Sequence, residues 1–407
     1  MERVISFFGL LTMLGLAWLL SANRRKVSLR LVLSGVVLQL AMAALLLRPP
    51  LGENVFLWAN AMISGIIACS DQGAEFVFGE TFRDHFFAFS VMPTVIFFSS
   101  LTAVLFHLGV LQWVVKVMAR VMVWVMDVSG TESLATSANV FIGMTTAPLM
   151  IRPYLASMTR SELMAMMTGG MATVSGGTMA AYVGMAQAAG HDADQLPGHL
   201  MVASLISAPA ALVIAKIMVP ETEESPTKGT VKVEVPKQDA NILDAACRGA
   251  GEGLKLALNI VAMLIAFIAL VHLINWALSP LPLIAGEPLT LERMFGWLGA
   301  PLAWVMGVPW KDAHAVGILL GEKTVFNEFV GYQSLMECKD TLAPRSFTIA
   351  TYALCGFANF GSIAVMIGGI GGLVPERRSD LAKYGLRALI GGSLAAFMTA
   401  AVAGMLI

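Results

Sequence analysis

The chain has 407 residues, 57% of them hydrophobic and only 13% charged, with a formal net charge of -1. A soluble domain carries about 25% charged residues, so this composition leaves too little polar side chain to cover a water-facing surface. The near-neutral balance also argues against a nucleic-acid binder, which needs a basic face.

Taken in chain order, the apolar residues fall in long blocks. Val4–Ala22, Leu31–Leu47, Phe86–Phe106, Leu200–Val219, Leu254–Leu278 and Ala388–Ile407 each approach the ~20 residues that cross ~30 Å of hydrocarbon. The first block reads as a retained helix, because Asn23–Lys26 follows it where a signal peptide would show small residues for cleavage. Arg24, Arg25, Lys26 and Arg30 then mark a cytoplasmic turn, which puts the N-terminus outside. Alternation places the Lys- and Arg-free stretch 190–199 outside, the polar linker Glu221–Asp239 inside, and Arg377, Arg378, Lys383 and Arg387 inside. Leu111–Asp127 reads as an amphipathic surface helix or as the end of the preceding span. Gln112, Lys116 and Arg120 share one of its faces, and Trp113 and Trp124 suit the headgroup zone.

Two regions resemble each other. Gly143–Tyr154 aligns with Gly321–Tyr332, matching Gly, Thr and Tyr at the first, fourth and twelfth positions. Downstream, Arg160-Ser161 corresponds to Arg345-Ser346, and Gly170–Val174 to Gly356–Phe360. Each copy joins a short helix broken by Gly, Thr or Pro to an apolar span interrupted by Gly and polar residues. Irregular backbone at membrane depth survives only where protein buries it or where it lines a wet cavity. Paired interruptions in two halves point to a transport site near the midplane. The pattern predicts two re-entrant hairpins, with tips near Met144–Thr146 and Asn327–Glu328, each followed by an unwound helix.

Glu328 is a carboxylate inside an apolar hairpin, which by default marks function. Its two acceptor oxygens suit a vicinal diol; a structural ion pair with Lys323 is the alternative. Asn359 and Ser362, three apart, offer amide and hydroxyl groups from one helix face. Asn139 and Thr173 supply hard neutral oxygens that suit a monovalent cation, with carbonyls freed at a helix break; helix packing is the competing role. Cys69, Cys247, Cys338 and Cys355 are scattered, and none of the six histidines sits in a metal or nucleophile motif. An intramembrane enzyme or receptor built on Glu328 would therefore lack a paired acid, a nucleophile or a metal triad, and no enzyme is expected.

The sequence resembles the concentrative nucleoside transporter family along nearly its whole length. The resemblance is carried most specifically by Ser137-Ala-Asn-Val-Phe-Ile-Gly143, Ala147-Pro-Leu149, Arg152-Pro153, Lys323-Thr-Val-Phe-Asn-Glu-Phe329 and Leu354-Cys-Gly-Phe-Ala-Asn-Phe-Gly-Ser-Ile363. It implies an all-α polytopic protein of the inner membrane, with about eight transmembrane helices, an inverted repeat and an elevator-type mechanism, surrounded by membrane lipid and assembled as a homotrimer. It further implies scaffold helices and an interfacial helix over 1–128, and a first hairpin with its unwound helix over 129–190. Scaffold helices with a cytoplasmic linker at 221–243 occupy 191–290, the second hairpin and unwound helix 291–376, and the last span 377–407.

The same resemblance places ribose contacts on Glu328, Asn359 and Ser362, and an aromatic beside sugar and base at Phe357. It puts a sodium ion on the side chains of Asn139 and Thr173 and the backbone oxygens of Ile142 and Val174. Proton-coupled members tend to lose the Asn, so Asn139 favours sodium. One departure stands out. Where the family's first tip reads Gly-Gln-Thr-Glu-Ala-Pro-Leu, this chain has Gly143-Met144-Thr145-Thr146-Ala147-Pro148-Leu149. Only Thr145 keeps its base-facing identity, and Thr178 replaces a residue that is often apolar. The expected function is thus sodium-coupled nucleoside import with altered base selectivity. The alternatives are a modified nucleoside or other ribose-like glycoside as cargo, or proton coupling.

Overall fold

A computed structural model describes all residues except 1, 49–50, 81, 83–88, 90, 189–194, 230–238 and 285. The described residues are almost wholly helical. In chain order they form α1 (Glu2–Leu19), α2 (Leu29–Leu47), α3 (Leu51–Phe78), α4 (Met92–His107), α5 (Val110–Met126), α6 (Gly130–Ile142), α7 (Ala147–Met150), α8 (Arg160–Ala172) and α9 (Gly176–Ala188). There follow α10 (Leu196–Met218), α11 (Ile242–Leu278), α12 (Leu291–Val305), α13 (Trp310–Val325), α14 (Glu328–Glu337), α15 (Pro344–Leu354), α16 (Phe360–Leu373) and α17 (Arg378–Leu406). Among the described residues α1, α2, α10, α11 and the α17 segment are long and apolar enough to cross a membrane. Among the described residues the bent pair α4–α5 passes the same test taken together, and α16 is a shorter apolar helix.

Gly109, at φ 84°, breaks the chain between α4 and α5, and the two helices bend 75° apart. α5 is therefore a helix of its own and not the tail of the preceding span. Trp113 and Trp124 are among its most exposed side chains, as a headgroup-level helix requires. α10 and α17 are the most enclosed long helices, and the broken elements pack around them. α8 lies against both, and α15 against α17.

Two faces can be told apart by their hydrogen bonds. On one, Arg3 Nε donates to the Ile407 carbonyl at 2.8 Å, and Arg345 reaches the Gly307, Gly404 and Ile407 carbonyls. On the other, a cavity is lined by Lys26, Arg30, Asp127, Glu132, Lys216 and Glu221, and Arg377 Nη1 donates to the Ala156 and Met158 carbonyls. The two groupings lie at opposite ends of α1 and of α17.

The linker Glu221–Asp239 differs from expectation in its described part. Residues 221–229 are docked, not loose. The Gly130 N–H donates to the Thr227 carbonyl, and the Lys216 ammonium pairs with Glu132 at 2.7 Å and Glu221 at 3.1 Å. Further contacts reach α8: the Ser225 hydroxyl donates to Glu162, and the Thr159 hydroxyl to Glu221. The free N–H groups at the starts of α6 and α8 are thus met by two capping boxes, Ser129/Glu132 and Thr159/Glu162, with the strap braced across them. Near its far end Arg248 grips Asp239 at 2.6 Å and 3.0 Å, which holds that carboxyl below the usual carboxylate range. Residues 230–238 of the linker, and the first half of the stretch 190–199, lie outside the described residues.

Candidate functional site

The repeat is present in the elements, but its tips do not align as the residues suggest. The first hairpin breaks at Gly143–Thr146, between α6 and α7, and the second at Phe326–Asn327, between α13 and α14. Gly143, at φ 81°, belongs to the tip, with Thr146 and Ala147 N–H groups both donating to its carbonyl. Gly321, its sequence match, lies inside α13, where a Cβ would collide with the Phe295 ring. Gly321 is a packing glycine, so pairing it with Gly143 misregisters the tips by more than one helical turn. The long helices break where expected, at Thr173–Ser175 and Cys355–Asn359.

The two breaks touch. Gly356, at φ 115°, lies so close to the end of α8 that a Cβ there would sit 2.6 Å from the Met171 carbonyl oxygen and 2.8 Å from the Ala172 carbonyl carbon. Only a residue without a Cβ tolerates both that dihedral and that approach.

In the second half most polar groups of the breaks are partnered, although Asn327 Nδ2 has no hydrogen-bond partner. Asn327 caps α14 by accepting from the Val330 N–H at 3.0 Å, and Asn359 caps α16 by accepting from the Ser362 N–H at 2.8 Å. The Asn359 amide then donates to Glu328 Oε2 at 2.7 Å. Glu328, Asn359 and Ser362 are all buried and form one cluster. Lys323 does not pair with Glu328. Its fully buried ammonium donates to the Ala353 carbonyl at 2.8 Å, while the Tyr332 hydroxyl donates to the Thr351 carbonyl at 2.8 Å. Both bonds serve carbonyls that the end of α15 leaves without helical partners. Tyr182 of α9 stacks on Tyr332, 4.2 Å between centroids, and meets Phe329 edge-on. Phe357 sits half-buried in the break between α15 and α16.

In the first half one amide at the break is left open. Asn139 is 1% exposed, and neither its Oδ1 nor its Nδ2 has a hydrogen-bond partner. A buried amide so placed costs about 1–3 kcal/mol unless something else meets it. α6 ends three residues later at Ile142, so its last carbonyls have no continuing helix to serve. Gly143 lies against Ser175 in the α8–α9 break, a Cβ there standing 3.2 Å from the Ser175 Cβ. The Thr173 hydroxyl donates back to the Gly169 carbonyl at 2.8 Å, and the Val174 carbonyl accepts from the Ser204 hydroxyl at 3.0 Å. Asn139 and Ile142 therefore lie on the end of α6 that approaches the α8–α9 break, where Thr173 and Val174 sit. They offer oxygen ligands and no charge, a donor set that fits a monovalent cation.

The tip residues part company. Met144 is buried and Thr145 exposed, with Thr146 between these extremes. Thr145 faces α16, its Cγ2 lying 3.9 Å from where a Cβ on Gly369 would stand. Thr178 is buried, its hydroxyl 3.1 Å from that of Ser175. Met366 and Tyr182 escape sequence reasoning, although Met366 lies one turn beyond Ser362 on α16.

This arrangement matches a known family along the whole chain. Residues 199–404 match the model of the Na+ dependent nucleoside transporter C-terminus, residues 8–81 its N-terminus, and residues 88–189 a nucleoside recognition module. The chain belongs to the Na+-dependent nucleoside transporter family. It is a multi-pass protein of the inner membrane, and its family is one of transporters, not enzymes. The chain is 40% identical over 422 residues to solute carrier family 28 member 3 of Eptatretus stoutii, covering 100% of this chain and 61% of that protein. Sodium/nucleoside cotransporter 1 of Rattus norvegicus is also 40% identical, with 64% of its length covered. The uncharacterized transporter YutK of Bacillus subtilis (strain 168) is 40% identical with both chains covered fully. Among solved structures, CNTnw in an inward-facing substrate-bound state superposes with a TM-score of 0.91 at 39% identity, covering 100% of this chain and 98% of that one. An outward-facing double variant of CNTnw gives 0.92 at 39% identity, with the same coverage of both chains. The chain thus spans about three-fifths of the animal relatives and the whole of the bacterial one.

Proposed function

We propose that the protein imports nucleosides by symport with sodium, recognising the ribose through Glu328, Asn359 and Ser362 and reading the base weakly. The observation that carries this reading is the buried Asn359–Glu328 hydrogen bond at 2.7 Å. It orients a buried carboxylate, and the two acceptor oxygens of a carboxylate suit the two hydroxyl donors of a diol. The unpartnered Asn139 amide supports the second half of the reading. A sodium ion held by Asn139 and Thr173 side chains, with Ile142 and Val174 carbonyls, would join α6 to the α8–α9 break and so tie hairpin closure to ion binding. Thr145 and Phe357 flank the base and sugar, while Met144 and Thr146 stand where relatives read the base edge. Both hairpins and both broken helices move as one transport body against the remaining helices, in a homotrimer embedded in lipid.

A second reading is favoured by the tip itself. Met144 offers no hydrogen bond and Thr146 only a short hydroxyl, so a modified nucleoside or another ribose-like glycoside fits the same carrier. Proton coupling would require the ion site to work without the Asn139 oxygen. The deciding experiment is uptake into proteoliposomes with an imposed sodium gradient, against a panel of nucleosides and ribose-altered analogues. Sodium-driven accumulation that needs both ribose hydroxyls upholds the proposal. Uptake indifferent to sodium or to the ribose hydroxyls overturns it.

A further inference from the structure

Gly170 of α8 forms a notch shared by three side chains from different elements. A Cβ built there would stand 2.8 Å from Met144 Cβ, 2.9 Å from Met366 Cε and 3.6 Å from Asn139 Nδ2. Met144 comes from the tip of the first hairpin and Met366 from α16, so the two halves of the repeat meet at this point through two methionines. Met366 follows Ser362 by four residues, which puts both on one face of α16, about 6 Å apart along the axis. Whatever binds its ribose at Glu328, Asn359 and Ser362 and extends along α16 toward the first hairpin therefore meets Met366 next, and Met144 beside it.

Both methionines are buried, Met144 at 9% exposure and Met366 at 1%, so together they fill the space above Gly170. Thioethers present no strong donor or acceptor. They are long, unbranched and polarizable, adapt to differently shaped partners, and make favourable contacts with aromatic rings. We infer that Met366 is a second determinant of base selectivity, forming with Met144 over Gly170 an adaptable thioether-lined subsite that accepts purine and pyrimidine rings by shape and dispersion, not by their edges. This rests on the nucleoside reading above and names what that reading leaves open. The Asn139 amide borders the same notch, so a base that shifts these methionines also presses on the candidate cation ligand.

The inference is tested by calorimetric binding of uridine, adenosine and purine riboside, which lacks exocyclic groups, to the full-length protein in sodium buffer. Met144→Leu, Met366→Leu and the double variant are compared with the unaltered protein. Leucine keeps the volume and the apolar character but is branched and stiffer, a swap that cores tolerate well. The unaltered protein should bind adenosine and purine riboside within about fivefold of each other, because no edge contact separates them. Met366→Leu should shift the purine-to-uridine affinity ratio at least fivefold, and the double variant should depart from the product of the single effects. A ratio unchanged in Met366→Leu, or a tenfold preference of the unaltered protein for adenosine over purine riboside, overturns the inference while leaving nucleoside transport standing. No binding of any nucleoside by the unaltered protein would instead strike the underlying reading. Should Met366→Leu not fold, Met366→Gln, of equal length, is scored by the same ratio, and an unchanged ratio counts equally against the inference.

Discussion

The two halves of the repeat break their helices at corresponding places and then treat the freed backbone differently. In the second half, Asn327 and Asn359 cap the restarted helices, Lys323 and Tyr332 meet the carbonyls at the end of α15, and Glu328 is steadied by Asn359. In the first half, Asn139 stands buried with both amide atoms free, and the exit from α6 is left to Gly143. Glu132 and Glu162 of the first half sit in the opening turns of α6 and α8, Glu132 paired with Lys216 of α10 and Glu162 accepting from Ser225 of the strap. A satisfied cluster presents a fixed polar surface without reorganisation. An unsatisfied one is stabilised by whatever supplies the missing partner. On the function proposed above, the second half recognises and the first responds.

The strongest way to break this comparison is to part the two halves where they touch. Gly356→Ala would force a side chain into a φ of 115° and against the Met171 carbonyl. Backbone strain and overpacking each cost about 1–3 kcal/mol, so a loss of about 3 kcal/mol or more is expected. It should appear as a sharply lower unfolding temperature in detergent and little protein recovered from the membrane. A variant of unaltered stability would mean that the breaks are not held together here.

Next in size is the loss of the fixed surface. Glu328→Ala removes the carboxylate and leaves the Asn359 amide without its acceptor. Hydrogen bonds to a charged group are worth about 2 kcal/mol, a fall of roughly thirtyfold in affinity. The fall should be equal for every nucleoside tested by calorimetry, because the ribose is common to all. A loss confined to one base would move Glu328 out of the sugar site. On the responsive side, Asn139→Leu replaces a hard oxygen with bulk. Uptake in sodium should then drop to the level seen in potassium, while residual nucleoside binding persists. Sodium stimulation that survives the change would place the ion elsewhere.

The class of fold was legible because membrane spans and basic loops are written over about twenty residues at a time. α5 was legible from the spacing of Gln112, Lys116 and Arg120 with flanking Trp113 and Trp124. The breaks were legible because Gly, Asn and Ser interrupt apolar runs at Thr173–Ser175 and Gly356–Asn359. What stayed hidden depends on contacts between distant elements. The match of Gly143 with Gly321 misled because a glycine required by a turn and a glycine required by a neighbouring Phe295 are the same letter. Lys323 looked like a partner for Glu328 because both sit near one tip, yet α13 points its ammonium to the end of α15. The docking of 221–229 was masked by a composition that also describes a loose linker. Met366 carried no signal of its own. Its significance comes from Gly170, a residue 196 positions away.

The smallest effect sharpens the comparison most, because it asks whether the responsive half could regain the fixed reading that its tip has lost. Met144→Gln with Thr146→Glu restores an amide and a carboxylate at the tip. Both could meet a pyrimidine edge, and each new bond is worth about 1 kcal/mol if its geometry is met. Gln at 144 must occupy the notch over Gly170 that Met366 already fills, so the amide cannot reach its best position unhindered. A gain of about fivefold in uridine affinity is therefore expected from the pair of changes, short of the roughly thirtyfold that two unhindered bonds would give. Glu328 lies in the other half, and discrimination against ribose-altered analogues should stay as it was. Adding Met366→Ala, which empties the notch, should enlarge the uridine gain beyond the double variant alone. If the double variant reaches the full gain by itself, Met366 does not obstruct the tip. If uridine binding does not improve at all in a folded protein, the base site has been rebuilt beyond these positions. A cargo without a pyrimidine edge then becomes the better account of the tip.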